Sequence, residues 1–134
     1  MYLIDTNILA RYLLNDIPDQ SERCVKLFQQ ASQGEIELFV PVTAFSEITW
    51  LLIRQKKMPH EVVTRLLLDI GSMSRVILEN EVAVMKALRL SLELNGLSFV
   101  DLYHLALADE LGITHVYSFD KKMDRYPGVE RIEP

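Results

Sequence analysis

Apolar residues along this chain switch repeatedly between strand-like and helix-like spacing. YLI at 2–4 predicts a short buried strand, and the segment 6–14 predicts a helix carrying Ile8, Leu9, Tyr12 and Leu13 on one face. Asn15, Asp16 and Pro18 break that helix. A second helix over 19–32 groups Cys24, Leu27, Phe28 and Ala31 and ends before Gly34. IELFV at 36–40 predicts a strand stopped by Pro41. Thr43 is placed to cap a helix reaching about Gln55, and Pro59 lies near the start of another that ends at Gly71. VIL at 76–78 predicts a strand. Helices follow over 80–95, ended by Gly96, and from Ser98 to Gly112. HVYSF at 115–119 predicts a strand, and VERI at 129–132 a short edge strand after the Pro127–Gly128 turn.

Strands separated by helices, with almost no hairpin signals, indicate an α/β fold with a mostly parallel sheet. Right-handed crossovers cover such a sheet on both faces, and ligands bind outside the carboxyl ends of its strands. Asp5 follows the first strand and Asp120 follows HVYSF, so both fall at that edge. Glu47 is expected in the opening turn of the helix from Thr43, and Asp101 in the opening turn of the helix from Ser98.

Each acid alone has an ordinary explanation. Aspartate is a favoured helix cap, which covers Asp5. Ser98 with Asp101 resembles a capping box, and the helix dipole favours acids in a first turn. Asp120 can be a turn residue. The apolar neighbours argue for more, because Phe45, Ile48 and Trp50 flank Glu47, while Phe99, Val100 and Leu102 flank Asp101. Two carboxylates about 4 Å apart repel by roughly 4 kcal/mol at an effective dielectric of 20. A cluster of four therefore calls for cations. With no histidine or cysteine cluster, the oxygen-only set selects Mg²⁺ or Mn²⁺.

Composition narrows the setting. The 134 residues suit one domain, 1–134, and 49% hydrophobic with 25% charged residues fits a globular protein. No apolar run reaches the roughly 20 residues of a membrane span. No secretory signal is apparent, and a single cysteine, Cys24, excludes an internal disulfide, so a cytoplasmic location is expected. The net charge of −5 argues against a protein that coats nucleic acid through a basic surface.

DTNIL at 5–9, SE at 46–47, FVDLYHLALA at 99–108 and SFDKKM at 118–123 resemble the motifs of the PIN domain family, and within it the compact VapC-type toxins of prokaryotic toxin–antitoxin pairs. The resemblance covers nearly the whole chain. It implies a three-layer α/β/α sandwich with a mostly parallel central sheet, and a metal-dependent ribonuclease. It also implies a protein antitoxin that pushes a basic side chain into the acidic pocket. Carried over, the family's acids fall on Asp5, Glu47, Asp101 and Asp120. Thr6 and Asn7 match the polar positions after the first acid, and Ser118 the small polar position before the last.

The resemblance implies one or two Mg²⁺ or Mn²⁺ ions and hydrolysis of RNA to a 5′-phosphate and a 3′-hydroxyl. Thr6, Asn7 and Ser118 then orient carboxylates or water, or serve only as helix-start and turn residues. Removing the four acids takes the net charge from −5 to −1. RQKK at 54–57, Lys121, Lys122, Arg125 and Arg11 can then guide a phosphate backbone, or be ordinary solvated surface. Asp124, one turn past Asp120, is expected to be peripheral, and Asp109, two turns past Asp101, to lie in the outer surroundings of the site or on the surface. His104 shares the face of Asp101 and is expected to be structural rather than to reach the site, and His60 and His115 have no sequence partners that suggest ligation. Trp50 is expected in the core rather than stacked on a base, and Cys24 as a small packed apolar residue. Val62, Val63, Leu66, Leu67 and Ile70 exceed what one core face needs, and supply a homodimer surface or an antitoxin groove. The competing function is a catalytically silent PIN-like module that binds RNA or protein. An acid-cluster phosphotransferase is disfavoured, because Asn7 stands where its second aspartate belongs.

Overall fold

A computed structural model describes residues 1–134 and divides them into two compact units, Met1–Glu79 and Asn80–Pro134. The first unit runs β1 (Tyr2–Leu3), α1 (Thr6–Leu14), α2 (Pro18–Ser32), β2 (Leu38–Val40), α3 (Val42–Trp50), α4 (His60–Gly71) and β3 (Val76–Leu78). The second runs α5 (Glu81–Ser91), α6 (Phe99–Glu110), β4 (His115–Tyr117) and β5 (Glu130–Ile132). Every strand pairing is parallel. β2 lies between β1 and β3, and β4 pairs with β5. The fold is the α/β sandwich class that the alternation of spacings predicts.

Within the first unit, Leu38 and Val40 point into a core shared with Leu9, Phe28, Phe45, Ile48, Leu52, Leu67 and Ile70, all at most 3% exposed. Burying side chains of this size contributes about 1.5–3 kcal/mol each. In the second unit Leu88, Leu97, Leu102 and Leu105 are buried, and α5 packs against α6. Met123, Tyr126 and Val129 tie down the stretch between β4 and β5.

Three expectations change. β1 is not a buried strand, since Tyr2 and Leu3 are exposed and only Ile4 beyond them is buried. Tyr2 and Leu3 point to opposite faces of the sheet, and neither side chain is covered. Thr43 does not cap α3. The helix begins one residue earlier, after Pro41, and its first amide, Val42 N, donates to Glu79 Oε2 at 2.8 Å. Trp50 is not core, being 58% exposed at the point where α3 passes into a π-helical turn, Leu51–Gln55. Phe45, Ile48 and Leu52 form the buried stripe at helical spacing, and Trp50, two residues past Ile48, falls on the opposite side of the helix.

Of the apolar positions on α4, Val63, Leu67 and Ile70 are buried, whereas Val62 is 45% exposed. Asn15 ends α1 in the left-handed conformation that asparagine tolerates. No helix is long and apolar enough to cross a membrane.

Candidate active site

In the first unit, β1 delivers the chain to Asp5 through the buried Ile4. Asp5 has extended backbone angles and caps α1, with Oδ1 accepting the amide of Ile8 at 3.2 Å. Thr6 opens the helix and donates its hydroxyl to Glu47 Oε2 at 2.5 Å. Because α3 starts at Val42, Glu47 stands in its second turn rather than its first. The neighbouring Phe45 and Ile48 are buried, while Glu47 itself is exposed. Asn7 is exposed, and its amide has no hydrogen-bond partner.

In the second unit, Ser98 caps α6 and completes a capping box with Asp101. Asp101 N donates to Ser98 Oγ at 3.1 Å, while Asp101 Oδ2 accepts from Ser98 N at 3.2 Å and from Ser98 Oγ at 2.8 Å. After β4, Ser118 N continues the ladder by donating to Ile132 O, and Ser118 Oγ accepts the amide of Asp120 at 3.0 Å. Asp120 then caps the 3₁₀ turn Lys121–Arg125, with Oδ1 accepting from Lys122 N at 3.0 Å.

The four acids share one pattern. Asp5, Glu47, Asp101 and Asp120 each engage a single carboxylate oxygen with a protein donor, and the other oxygen has none. The second oxygen of each is available to a ligand while the first fixes the group's orientation. Hard, singly anchored carboxylates are the donors that Mg²⁺ or Mn²⁺ takes, so the donor chemistry fits such an ion. No three His, Cys, Asp or Glu side chains form a metal-holding group.

The PIN domain model matches residues 2–129. The chain belongs to the PIN domain family. PIN domains are generally metal-dependent nucleases that act on nucleic acid and usually use divalent ions. No curated protein matches the chain.

In this PIN domain the remaining candidates fall as follows. Asp124 is occupied by Arg131, whose Nε donates to Asp124 Oδ1 at 2.8 Å. Asp109 is paired with Lys86 Nζ. His104 is exposed, as is His60, and His115 Nε2 lies 3.5 Å from Glu130 Oε2 on the neighbouring strand. Cys24 is buried, and burial pushes its thiol pKa up, as expected of a packed apolar residue. Arg11 donates to both oxygens of Asp16 at 3.0 Å and to Gln20 Oε1 at 2.9 Å. Arg125 donates to the carbonyl of Asn95. Lys121, Lys122 and the 54–57 run are exposed.

Two residues of consequence have no motif to announce them. Arg131 donates to Ser118 O at 2.8 Å and to Glu133 Oε1 at 2.9 Å as well as to Asp124, so it braces the segment that carries Asp120. Glu79 closes the start of α3, the helix that carries Glu47. The only sequence signals are an arginine between acids in ERIEP and an acid directly after VIL.

Proposed function

We propose that this PIN domain is an Mg²⁺- or Mn²⁺-dependent endoribonuclease, the VapC-type toxin of a toxin–antitoxin pair, cutting structured RNA. The two units act as one domain over 1–134. Asp5, Glu47, Asp101 and Asp120 hold one or two ions, and Thr6, Asn7 and Ser118 position them and the water. The observation that carries this is the pattern of four acids, each with one oxygen anchored and one free, in a PIN domain.

A bound divalent ion supplies Lewis acidity toward the phosphate and makes water a stronger nucleophile near neutral pH. The protein's own groups do the rest. Thr6 fixes the Glu47 carboxylate, and the free Oε1 is oriented to take a proton from the attacking water. The water oxygen bonds to phosphorus as its proton passes to Glu47, the P–O3′ bond breaks, and the departing 3′ oxygen takes a proton from solvent water. Ser98 and Ser118 hold Asp101 and the Asp120 backbone in fixed orientations, so little reorganisation accompanies the step. Lys121, Lys122 and the 54–57 run guide the phosphate backbone.

The protein is placed in the cytoplasm, restrained by a cognate antitoxin and acting as a homodimer through the exposed side of α4 around Val62. The test is cleavage of folded tRNA and ribosomal RNA fragments with Mg²⁺, Mn²⁺ or EDTA. Discrete metal-dependent cuts that vanish in Asp5→Asn are expected.

One observation favours a second reading, a silent binding module: Asp5 and Asp101 both have complete structural roles as caps. RNA binding by folded protein that neither binds metal nor cuts would select it.

A further inference from the structure

Between α1 and α2 lies a cavity of about 320 Å³ lined by Asn7, Ile8, Arg11, Gln20, Arg23, Cys24 and Leu27. Its lining joins directly to the candidate site, because Asn7 and Ile8 follow Asp5 and Thr6 in the same turn of α1. On a helix rising 1.5 Å per residue, Asn7 is only about 3 Å along the axis from Asp5. We propose that this cavity is a nucleotide subsite, taking one unstacked base of the RNA together with its phosphate. The proposal deepens the nuclease reading and rests on it.

Size, polarity and charge point the same way. The volume is at the small end of ligand cavities, suited to one nucleotide and too small for a helix. Ile8, Cys24 and Leu27 give an apolar floor, and a base presents an apolar face to such a surface. Two arginines line the cavity, each paired with one aspartate that is not in the lining, and their unused N–H groups can donate to a phosphate. Arg11 is held in place by Asp16 and Gln20 yet keeps Nη2 free. Arg23 engages only Nη2, with Asp19 at 2.9 Å, and keeps Nε and Nη1. The Asn7 amide has no partner and offers a donor and an acceptor to a base edge. Single-stranded RNA is read in this way, by splayed bases stacked on side chains and bonded along their edges.

The test is independent of cleavage. The whole chain, labelled with ¹⁵N and kept in EDTA, is titrated with AMP, CMP, GMP and UMP, and with inorganic phosphate and the unphosphorylated nucleosides as controls. Saturable shifts at the amides of Asn7, Arg11, Arg23 and Leu27 are expected, larger for nucleotides than for either control. The exposed Arg23→Glu should weaken binding about tenfold, the worth of one charge-assisted hydrogen bond. Leu27→Phe, which fills the cavity, should abolish the shifts while the remaining spectrum stays folded. No shift with any nucleotide overturns the subsite, even if RNA is cut. Equal shifts with phosphate reduce it to an anion site and overturn it. Shifts with a synthetic leucine–arginine amphipathic peptide, and none with nucleotides, assign the cavity to a protein partner and overturn it. Nucleotide binding without cleavage by the same protein keeps the subsite and rejects the nuclease.

Discussion

Thr6 Oγ1 donates to Glu47 Oε2 at 2.5 Å, joining the first residue of α1 to the second turn of α3. The two residues are 41 apart in sequence, so the bond fixes the registry of two helices whose acids are both site candidates. Thr6→Val keeps the branched shape and deletes the donor. Outer-shell partners of metal-site carboxylates are typically worth 10–100-fold in affinity or activity. Cleavage should therefore fall by about tenfold or more, while stability drops by only about 1 kcal/mol. Single-turnover rates across an Mg²⁺ titration, paired with urea melts, separate the two effects.

Asp5 has two roles that one substitution can divide. Asparagine caps a helix about as well as aspartate, so Asp5→Asn should change stability by only a few tenths of a kcal/mol. Asp5→Ala should cost about 1 kcal/mol. If the carboxylate also holds metal, both variants lose cleavage alike. Full activity in Asp5→Asn would leave the residue a cap and nothing more.

Arg131 is predicted to act on activity through position. Its fork reaches Ser118 O, Asp124 and Glu133 at once, and Ser118 in turn receives the Asp120 amide. Lysine keeps the charge but cannot reproduce the fork. Arg131→Lys should lower kcat by about tenfold with KM little changed. A uniform rise in KM instead would assign Arg131 to RNA contact.

Alkaline pH should loosen the second unit. Hydrogen bonding to Asp109 raises the Lys86 pKa above its ordinary 10.5, and burial raises that of Tyr126 above 10.0. Both groups hold their protons more tightly folded than unfolded, so their contribution is intact below the unfolded values and is lost as pH rises through the folded ones. Thermal melts should show a steady Tm up to about pH 9 and a fall beyond about pH 10. Tyr126→Phe should flatten part of that fall.

Ser21 lies 2% exposed in α2, and its hydroxyl has no hydrogen-bond partner. Ser21→Ala removes that unsatisfied group and improves helix propensity. A gain of about 0.5–1.5 kcal/mol is expected, read from the urea midpoint at unchanged slope. A loss would mean that the hydroxyl is paired in solution.

The parts of this fold that sequence makes legible are those with a local cause. Ser98 three residues before Asp101 forms the capping box that its spacing suggests. The strand–helix alternation yields parallel pairing throughout. What stayed hidden depends on partners far along the chain. Glu79 accepts the first amide of α3 from 37 residues away, and the helix starts at Val42, which puts Glu47 one position further along it than expected. Trp50 looks like core by its apolar neighbours, but the buried stripe runs through Phe45, Ile48 and Leu52, and Trp50 lies on the opposite side of the helix. Arg131 among acids is indistinguishable from a solvated surface charge until the Ser118 carbonyl is seen beside it. The positions of the candidate acids were legible, whereas the anchoring of one oxygen in each required coordinates.

The wholly parallel pairing also sets a timetable for the nascent chain. Tyr2 finds its partner at Leu38, and Leu38 its own at Val76, so no strand of the first unit can pair with what has just been made. At about 5–20 residues per second on the ribosome, β1 waits roughly 2–7 s for β2 and as long again for β3. Through that interval the emerging chain has helices but an unfinished sheet. Glu79, whose carboxylate closes the start of α3, arrives last of all in the first unit. The helix bearing Glu47 is thus synthesised long before the residue that fastens its amino end.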